Sequence, residues 1–338
     1  MSSFSEMPEL VLENIICFSD FRSVLTLRQV CQDFRNFIDD LDDSKLPDSG
    51  FSKIELMVDE GISLTFEDLN DHEFIYSGEE RFRSDDAKTT NLNNSNILDV
   101  VIRDLEQVLK FQKSELYLYK FNSTLGNDLL YSNMLVKLSN MFEKLNRKFK
   151  TKELLMSADS QSGFMSILPF ADPQTLENLT LFSLVRNIEI EMDEIVKTEQ
   201  WKNAKNIFCD FYTLNMKVED MCDFSRVWMK MLSISARDLD FLKNTFITST
   251  NFARYEIQLE NFNENEGITD VWGPAFYFGT GRRRYFRINN PEEKVLHIEI
   301  DQKQHIYNRL LEYQQISIDI IQLNAVPNRA IVHDYNDN

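Results

Sequence analysis

Residues 7–16 read MPELVLENII, and residues 25–38 read LTLRQVCQDFRNFI. Pro8 suits the first turn of a helix, because the N–H group that proline lacks would have no partner there. Glu6 and Glu9 lie where the helix dipole favours negative charge. Downstream, apolar side chains recur at spacings of three and four residues, which predicts one amphipathic helix or two short ones; they are Leu27, Val30, Cys31, Phe34, Phe37, Ile38 and Leu41.

About forty residues in two or three helices cannot bury this many apolar side chains among themselves, because units that small usually need a disulfide, a metal or a partner. Periodicity alone therefore fits either a helical cap on the domain that follows or a module that binds a partner.

The order of residues favours the second interpretation. The Met7-Pro8 pair, the Leu-x-x-Ile-Ile ending at Ile16 and the run from Leu27 to Asp39 resemble the F-box family. In the family, Leu is more common where this chain has Met7, and Trp is often found where it has Phe34. The resemblance implies binding to the adaptor Skp1, and through it to a cullin, by Met7, Pro8, Leu12, Ile15, Ile16, Leu25, Leu27, Val30, Cys31, Phe34 and Ile38.

Composition predicts a soluble, globular, intracellular protein of about two domains, cytoplasmic or nuclear. No apolar run approaches the ~18 residues that span a bilayer, and residues 1–6 lack the features of a secretory signal. The four cysteines, Cys17, Cys31, Cys209 and Cys222, have no C-x-x-C spacing. We therefore expect no disulfide, no metal site, no cofactor and no contact with a membrane.

The net charge is -19, from 36 Lys and Arg against 55 Asp and Glu. Most of this surface would repel a nucleic acid, so we expect no nucleic-acid partner. The basic cluster at residues 282–284 is flanked by aromatic residues; it fits a β-hairpin better than a nucleic-acid patch.

The sequence divides into four segments: the F-box at 1–45, a β-hairpin or meander with a polar linker at 46–94, an α/β repeat domain at 95–310 and a C-terminal extension at 311–338. Apolar residues alternate with period two in residues 54–58 and 62–66, which predicts the hairpin. Residues 74–76 predict a third strand. Residues 78–94 are polar and predict a loop.

The domain at 95–310 alternates strand and helix patterns, so the fold class is α/β. Short strand motifs recur every 25 to 28 residues, at Leu154, Leu179, Ile207, Leu232 and Ile257. That spacing is typical of strand-helix units like those of leucine-rich repeats, and predicts a repeat-like solenoid with at least five roughly parallel strands. An ordinary α/β domain with evenly spaced strands is the alternative.

The same region resembles the FTH domain, which follows the F-box in a large family of nematode proteins. The resemblance covers roughly residues 90–310 and rests on residues 200–205 before a strand, on Phe241-Leu242-Lys243 with Phe246, and on Val295-x-His297-Ile298.

The sequence offers no catalytic constellation. His297 alternates with apolar neighbours, and this strand pattern predicts that its side chain is exposed. Gly279-Thr280-Gly281 fits a hairpin turn better than a phosphate loop. An enzyme is therefore the least favoured class.

The favoured function is an F-box adaptor that docks on Skp1 in a ubiquitin ligase and presents a protein target through its C-terminal domain. The alternative is a Skp1-binding or general interaction module without ligase function. The negative charge favours a basic target. The candidate target contacts are Trp272, Phe276, Tyr277, Phe278 and Tyr285. The alternative interpretation is that this segment forms a self-packed hairpin that caps the last strand.

Overall fold

The computed structural model describes residues 7–68, 71–77, 80–83, 88–92, 96–123, 129–260, 267–288, 293–305 and 308–334. The chain forms two compact units. One comprises Met1–Leu155 and Ser166–Thr175, and the other comprises Met156–Met165 and Leu176–Asn338. Within the described ranges, no helix has the length and apolar character needed to cross a bilayer.

The helices of the first unit are α1 (Glu9–Phe18), α2 (Phe21–Val30), α3 (Gln32–Asp40), α4 (Ile97–Phe111) and α5 (Leu129–Leu145), with 3-10 turns at Asp43–Lys45 and Leu168–Phe170. Its strands are β1 (Lys53–Val58), β2 (Ile62–Glu67), β3 (Asp71–Ser77), β4 (Glu80–Arg83), β5 (Lys88–Asn91) and β6 (Leu116–Ser123), and β7 (Thr151–Ser157) crosses the boundary between the units.

Helix α1 begins where the sequence predicts, whereas α2 begins at Phe21, before the apolar stretch that predicted a helix from Leu27 onward. Pro8 directly precedes α1, and its carbonyl accepts hydrogen bonds from Val11 and Leu12. The second apolar stretch forms two helices rather than one, because Cys31 adopts an extended conformation between α2 and α3. Asp20 caps α2 by accepting a hydrogen bond from the Ser23 N–H at 2.9 Å.

Strands β1 to β5 form an antiparallel meander, and β1 also pairs with β6 in parallel. The predicted hairpin is present, with Ile54 opposite Phe66 and Leu56 opposite Leu64. These side chains share the buried face. The predicted third strand is β3, whereas β4 and β5 occupy part of the stretch that we expected to be a loop.

The helices of the second unit are α6 (Gln161–Met165), α7 (Glu199–Asn203), α8 (Ala236–Thr248) and α9 (Ile268–Trp272), with 3-10 turns at Val218–Met221 and Leu323–Ala325. Its strands are β8 (Asn178–Phe182), β9 (Glu189–Glu191), β10 (Asn206–Leu214), β11 (Arg226–Met231), β12 (Arg254–Leu259), β13 (Phe276–Phe278), β14 (Gly281–Arg287), β15 (Lys294–His305), β16 (Asn308–Gln322) and β17 (Val332–His333).

The second unit combines parallel and antiparallel pairing. Strands β8, β10, β11 and β12 pair side by side and in parallel, in that order. Beyond β12 the sheet continues antiparallel through β16, β15, β14 and β13. The α/β class is therefore confirmed, but a leucine-rich-repeat solenoid is not. Residues 311–322, which the sequence analysis placed in an extension, belong to β16 inside the sheet.

The repeated strand anchors are partly confirmed. Leu154, Leu179, Ile207 and Ile257 are buried strand residues, and Leu179 lies opposite Ile207 across β8 and β10. Leu232 was a wrong anchor, because β11 ends at Met231 and Ile207 faces Val227 instead. Val227, Met229 and Met231 alternate toward the core, and a shift in the pairing of β10 after Cys209 adds an irregularity that no fixed period predicts.

The core of the second unit lies on one face of its sheet. One buried row crosses five strands, namely Leu181, Cys209, Met229, Ile257 and Ile316. Helix α8 starts at the predicted capping box, in which the Asp238 N–H donates to Ser235 Oγ at 3.1 Å and the Ser235 N–H donates to Asp238 Oδ2 at 3.2 Å. Its buried face carries Leu239, Leu242 and Phe246.

Candidate interaction surfaces

Helix α1 has an inner and an outer side. Leu12 and Ile16 are buried, Ile16 with 2% of its surface exposed. Leu10 and Cys17, like Val11 and Phe18, are seven residues apart and therefore share the opposite side. All four are exposed, Phe18 to 87%. The helix is thus apolar on both sides, and its own chain covers one of them.

The residues predicted to contact Skp1 fall into three groups. Leu12, Ile16, Phe34 and Ile38 are buried within the chain, which corrects the expectation that they present a surface to a partner. Ile15, Leu25 and Leu27 are half-buried. Met7, Pro8, Val30 and Cys31 are exposed, Val30 to 65%.

Three further apolar side chains of α1, Leu10, Val11 and Phe18, are exposed and were not predicted as contacts. The sequence does contain a signal for them, because α1 has apolar residues on both sides, and such a helix is usually covered on more than one side. Together with Met7, Cys17, Val30 and Cys31 they form what we call the F-box outer surface.

Helix α2 holds the F-box helices against the rest of the first unit. The Phe21 ring packs on Phe51, with centroids 5.8 Å apart, and on Phe111 at 5.1 Å. Arg22 Nη2 donates to Asp68 at 2.8 Å, and Lys110 Nζ donates to the Asp39 carbonyl at 2.7 Å. These contacts fix α2 and α3 against the rest of the first unit.

Two of the five candidate target contacts are core residues. Trp272 is 2% exposed; its Nε1–H donates to Asp240 at 2.8 Å and its ring packs against Phe286. Tyr285 is buried and stacks on His297 at 5.1 Å. For Trp272 and Tyr285 the self-packed alternative is therefore correct.

The other three lie on β13, which pairs with β14 as the predicted hairpin. Phe276 is half-buried, while Tyr277 and Phe278 are exposed, Tyr277 to 71%. The Arg283 guanidinium lies 4.5 Å from the Phe278 ring centroid. The turn at Gly279 and Thr280 joins the two strands, which confirms the predicted hairpin turn.

The second unit also has an open sheet face, opposite the core face. We define it by one cross-strand row of partly exposed side chains that follows the register across eight strands. The row consists of Thr180, Phe208, Trp228, Glu256, Ser317, Glu299, Arg283 and Phe276. Aromatic side chains lie near both of its ends.

Ion pairs flank the aromatic residues of the open sheet face. Arg283 Nε donates to Glu299 at 2.8 Å, Arg254 pairs with Glu256 at 2.5 Å, and Lys230 pairs with Asp210. Lys230 Nζ also lies 5.8 Å from the Trp228 ring. Charges of both signs therefore surround a small apolar centre, which resembles the hot-spot composition of protein interfaces.

The basic cluster is divided between the two faces of β14. Arg283 points to the open face, whereas Arg284 is buried and its Nε donates to the Gly273 carbonyl at 3.2 Å. Adjacent strand residues point to opposite faces, so these side chains do not form one basic patch.

His297 is more enclosed than we expected. Only 9% of it is exposed, and Nδ1 lies 2.8 Å from Asp319 Oδ1 on the neighbouring strand. Its Nε2 atom is buried without a hydrogen-bond partner in the described part of the chain. The carboxylate and the Tyr285 ring hold the imidazole in place, which corrects the expectation of an exposed histidine.

In the ranges that the structure describes, no three His, Cys, Asp or Glu side chains are arranged to hold a metal ion. Burial raises the pKa of the Cys209 thiol, and burial together with Asp223 raises the pKa of Cys222 to about 11. Both thiols are therefore poor nucleophiles at neutral pH.

Comparisons with known proteins agree with both resemblances. Residues 4–46 match the F-box domain, and residues 132–274 match the FTH domain. The chain is 21% identical over 151 residues to F-box A protein 224 of Caenorhabditis elegans, a match that covers 45% of this chain and 38% of that relative. No solved structure matches the chain. The chain thus carries an F-box domain followed by an FTH domain, as the sequence predicts.

Proposed function

The chain carries an F-box and an FTH domain, and from this premise we propose that it is an adaptor of the Skp1-binding type. The F-box outer surface would dock on a Skp1-like protein and, through it, on a cullin. The second unit would hold a protein target. The chain itself would catalyse no reaction, and it would act inside the cell, in the cytoplasm or nucleus.

The observation that carries this proposal is the exposed apolar side of α1. Apolar side chains at this density on an outer surface mark an interaction site. The inner residues Leu12 and Ile16 already serve the fold, so the partner contact is assigned to Leu10, Val11 and Phe18, with Val30 and Cys31 at the α2–α3 junction.

The open sheet face and the exposed side chains of β13 support the target-binding part of the proposal. An adaptor accelerates ubiquitin transfer by holding its target near the charged enzyme, so it needs a binding surface and no reactive group. The net charge of -19 favours a basic target, because long-range attraction raises the rate of encounter.

The test is a titration of the full chain with a purified Skp1-like adaptor. Leu10→Ser and Phe18→Ser should each weaken binding about tenfold or more, which corresponds to at least ~1.4 kcal/mol. Val136→Ser is the matched control, because Val136 is an exposed apolar residue on α5 of the same unit. Unchanged affinity in both test variants would overturn the proposed docking surface.

Affinity capture from cells separates the two forms of the proposal. Recovery of the Skp1-like protein together with a cullin supports a ligase adaptor. Recovery of the Skp1-like protein without a cullin supports an interaction module without ligase function.

A further inference from the structure

A cavity of about 450 Å³ lies within the first unit, between α2, the β-meander and α4. We propose that this cavity binds a small organic anion with an aromatic or aliphatic body. The inference is independent of Skp1 binding, and among the described lining residues only Leu25 was assigned to a site by either domain resemblance.

The volume and the apolar walls suit a small molecule. Ligand cavities usually measure roughly 300–1,000 Å³ and combine apolar walls with a few polar groups. The apolar part of this wall comprises Phe21, Leu25, Phe51, Phe66, Phe74 and Val108. Four of these six side chains are phenylalanines, which favours a ligand with a flat apolar body.

The charged part of the wall is basic, although the chain as a whole is strongly acidic. Arg22, Arg28, Arg81 and Arg83 line the cavity, while Asp104 is the one carboxylate among the described lining residues. Asp68 and Asp39 contact Arg22 and Arg28 without lining the cavity themselves. Guanidinium groups recognise carboxylates, sulfonates and phosphates by paired hydrogen bonds, so an anion suits this wall.

Existing contacts orient two arginines over the aromatic floor. Arg81 Nη1 donates to Asp104 at 2.7 Å, and Tyr76 Oη donates to the same carboxylate oxygen at 2.9 Å. The guanidinium carbons of Arg81 and Arg83 lie 5.7 and 5.8 Å from the Phe74 ring centroid. The cationic groups and the apolar wall are thus close enough for one ligand to contact both.

An unused donor lies in the same wall. Gln107 Nε2 is buried and has no hydrogen-bond partner among the described residues. A buried amide without a partner is unfavourable, and a ligand oxygen would remove this cost. Gln107 therefore points to a ligand that carries hydrogen-bond acceptors.

The probes are a matched pair: 8-anilinonaphthalene-1-sulfonate and N-phenyl-1-naphthylamine, which has the same rings without the sulfonate. Fluorescence titration of the full chain should give one saturable site for the sulfonate, with at least tenfold weaker binding of the neutral probe. The sulfonate should also raise the melting temperature, because a ligand that binds the folded state more tightly than the unfolded state stabilises it.

Three variants locate the site. Arg83→Leu should weaken binding of the sulfonate about tenfold and leave binding of the neutral probe unchanged, and Gln107→Leu should weaken it severalfold without lowering the melting temperature. Phe18→Ser is the control, because it removes an exposed apolar side chain outside the cavity. Equal affinity for the two probes, unchanged sulfonate binding in both Gln107→Leu and Arg83→Leu, or loss of binding in Phe18→Ser would each overturn the proposal.

Discussion

Phe208 and Trp228 stack with their ring centroids 4.4 Å apart and their planes at 10°, on neighbouring parallel strands and away from the core. Phe208 remains 38% exposed. Such a pair contributes little to the stability of the fold, since much of its apolar surface still faces water. We therefore propose that these two rings form the centre of a target-binding surface.

Replacement of the pair should separate target binding from stability. Trp228→Ala and Phe208→Ala should lower target recovery in quantitative affinity capture by about tenfold or more, while recovery of the Skp1-like adaptor stays unchanged. The control is Trp201→Ala, in which a buried ring is lost and stability falls by ~3–5 kcal/mol. Full target recovery in both test variants would remove the open sheet face from the proposal.

The aromatic residues near β13 should divide into core and surface. Trp272→Ala should cost ~3–5 kcal/mol, because it leaves a cavity and removes the hydrogen bond to Asp240. Tyr277→Ala should change the free energy of unfolding by less than ~0.5 kcal/mol, because that side chain is largely exposed. Chemical denaturation measures both values, and similar losses in the two variants would contradict this division.

Asp48 should contribute stability that depends on pH. Its carboxylate accepts hydrogen bonds from the backbone N–H groups of Lys113 at 2.8 Å, Ser114 at 2.9 Å and Gly50 at 3.2 Å. Burial opposes ionisation, but these hydrogen bonds outweigh it and lower the pKa of Asp48 below its ordinary value. A lowered pKa in the folded state adds stability above the ordinary pKa, and that stability is lost as the pH falls through the folded value.

Asp48→Asn tests this linkage. We expect the variant to lose roughly 1–2 kcal/mol near neutral pH and the difference from the wild type to shrink below about pH 4. Denaturant titrations at several pH values measure that difference. A difference that is constant down to pH 2 would show that the charge of Asp48 has no part in the effect.

The four thiols should react at different rates. Cys17 and Cys31 are exposed and should be alkylated by iodoacetamide in the native chain, whereas burial should protect Cys209. A bound Skp1-like adaptor should slow alkylation of Cys17 and Cys31, which lie in the F-box outer surface, and leave Cys222 unaffected. Peptide mass spectrometry measures each site, and unchanged rates at both F-box cysteines would contradict the docking model.

Local patterns in the sequence were enough to predict local structure. The start of α1 near Pro8, the hairpin of residues 54–58 and 62–66, and the capping box at Ser235 each depend on neighbouring residues. Leu232 failed as an anchor because Leu232-x-Ile234 and Val227-x-Met229 have the same alternation, and only pairing with Ile207 distinguishes them.

Whether a side chain lies on an inner or an outer surface depends on contacts between residues that are far apart in sequence. Periodicity places the apolar residues Leu12 and Phe18 on different sides of α1, but it does not say which side the rest of the chain covers. Packing of Phe21 on Phe51 and Phe111 fixes the orientation of the F-box helices, and these residues are far apart in sequence. For the same reason the sequence left Trp272 open between a target contact and a self-packed hairpin, and its burial and its hydrogen bond to Asp240 favour the hairpin.

The antiparallel pairing of β12 with β16 has a consequence for synthesis on the ribosome. One edge of β12 stays open after Leu259 emerges, and its partner strand begins only at Asn308. At about 5–20 residues per second this delay lasts several seconds, during which an unpaired strand edge is available to other nascent chains. Premature stop codons between these positions should therefore yield insoluble fragments rather than a shortened folded protein.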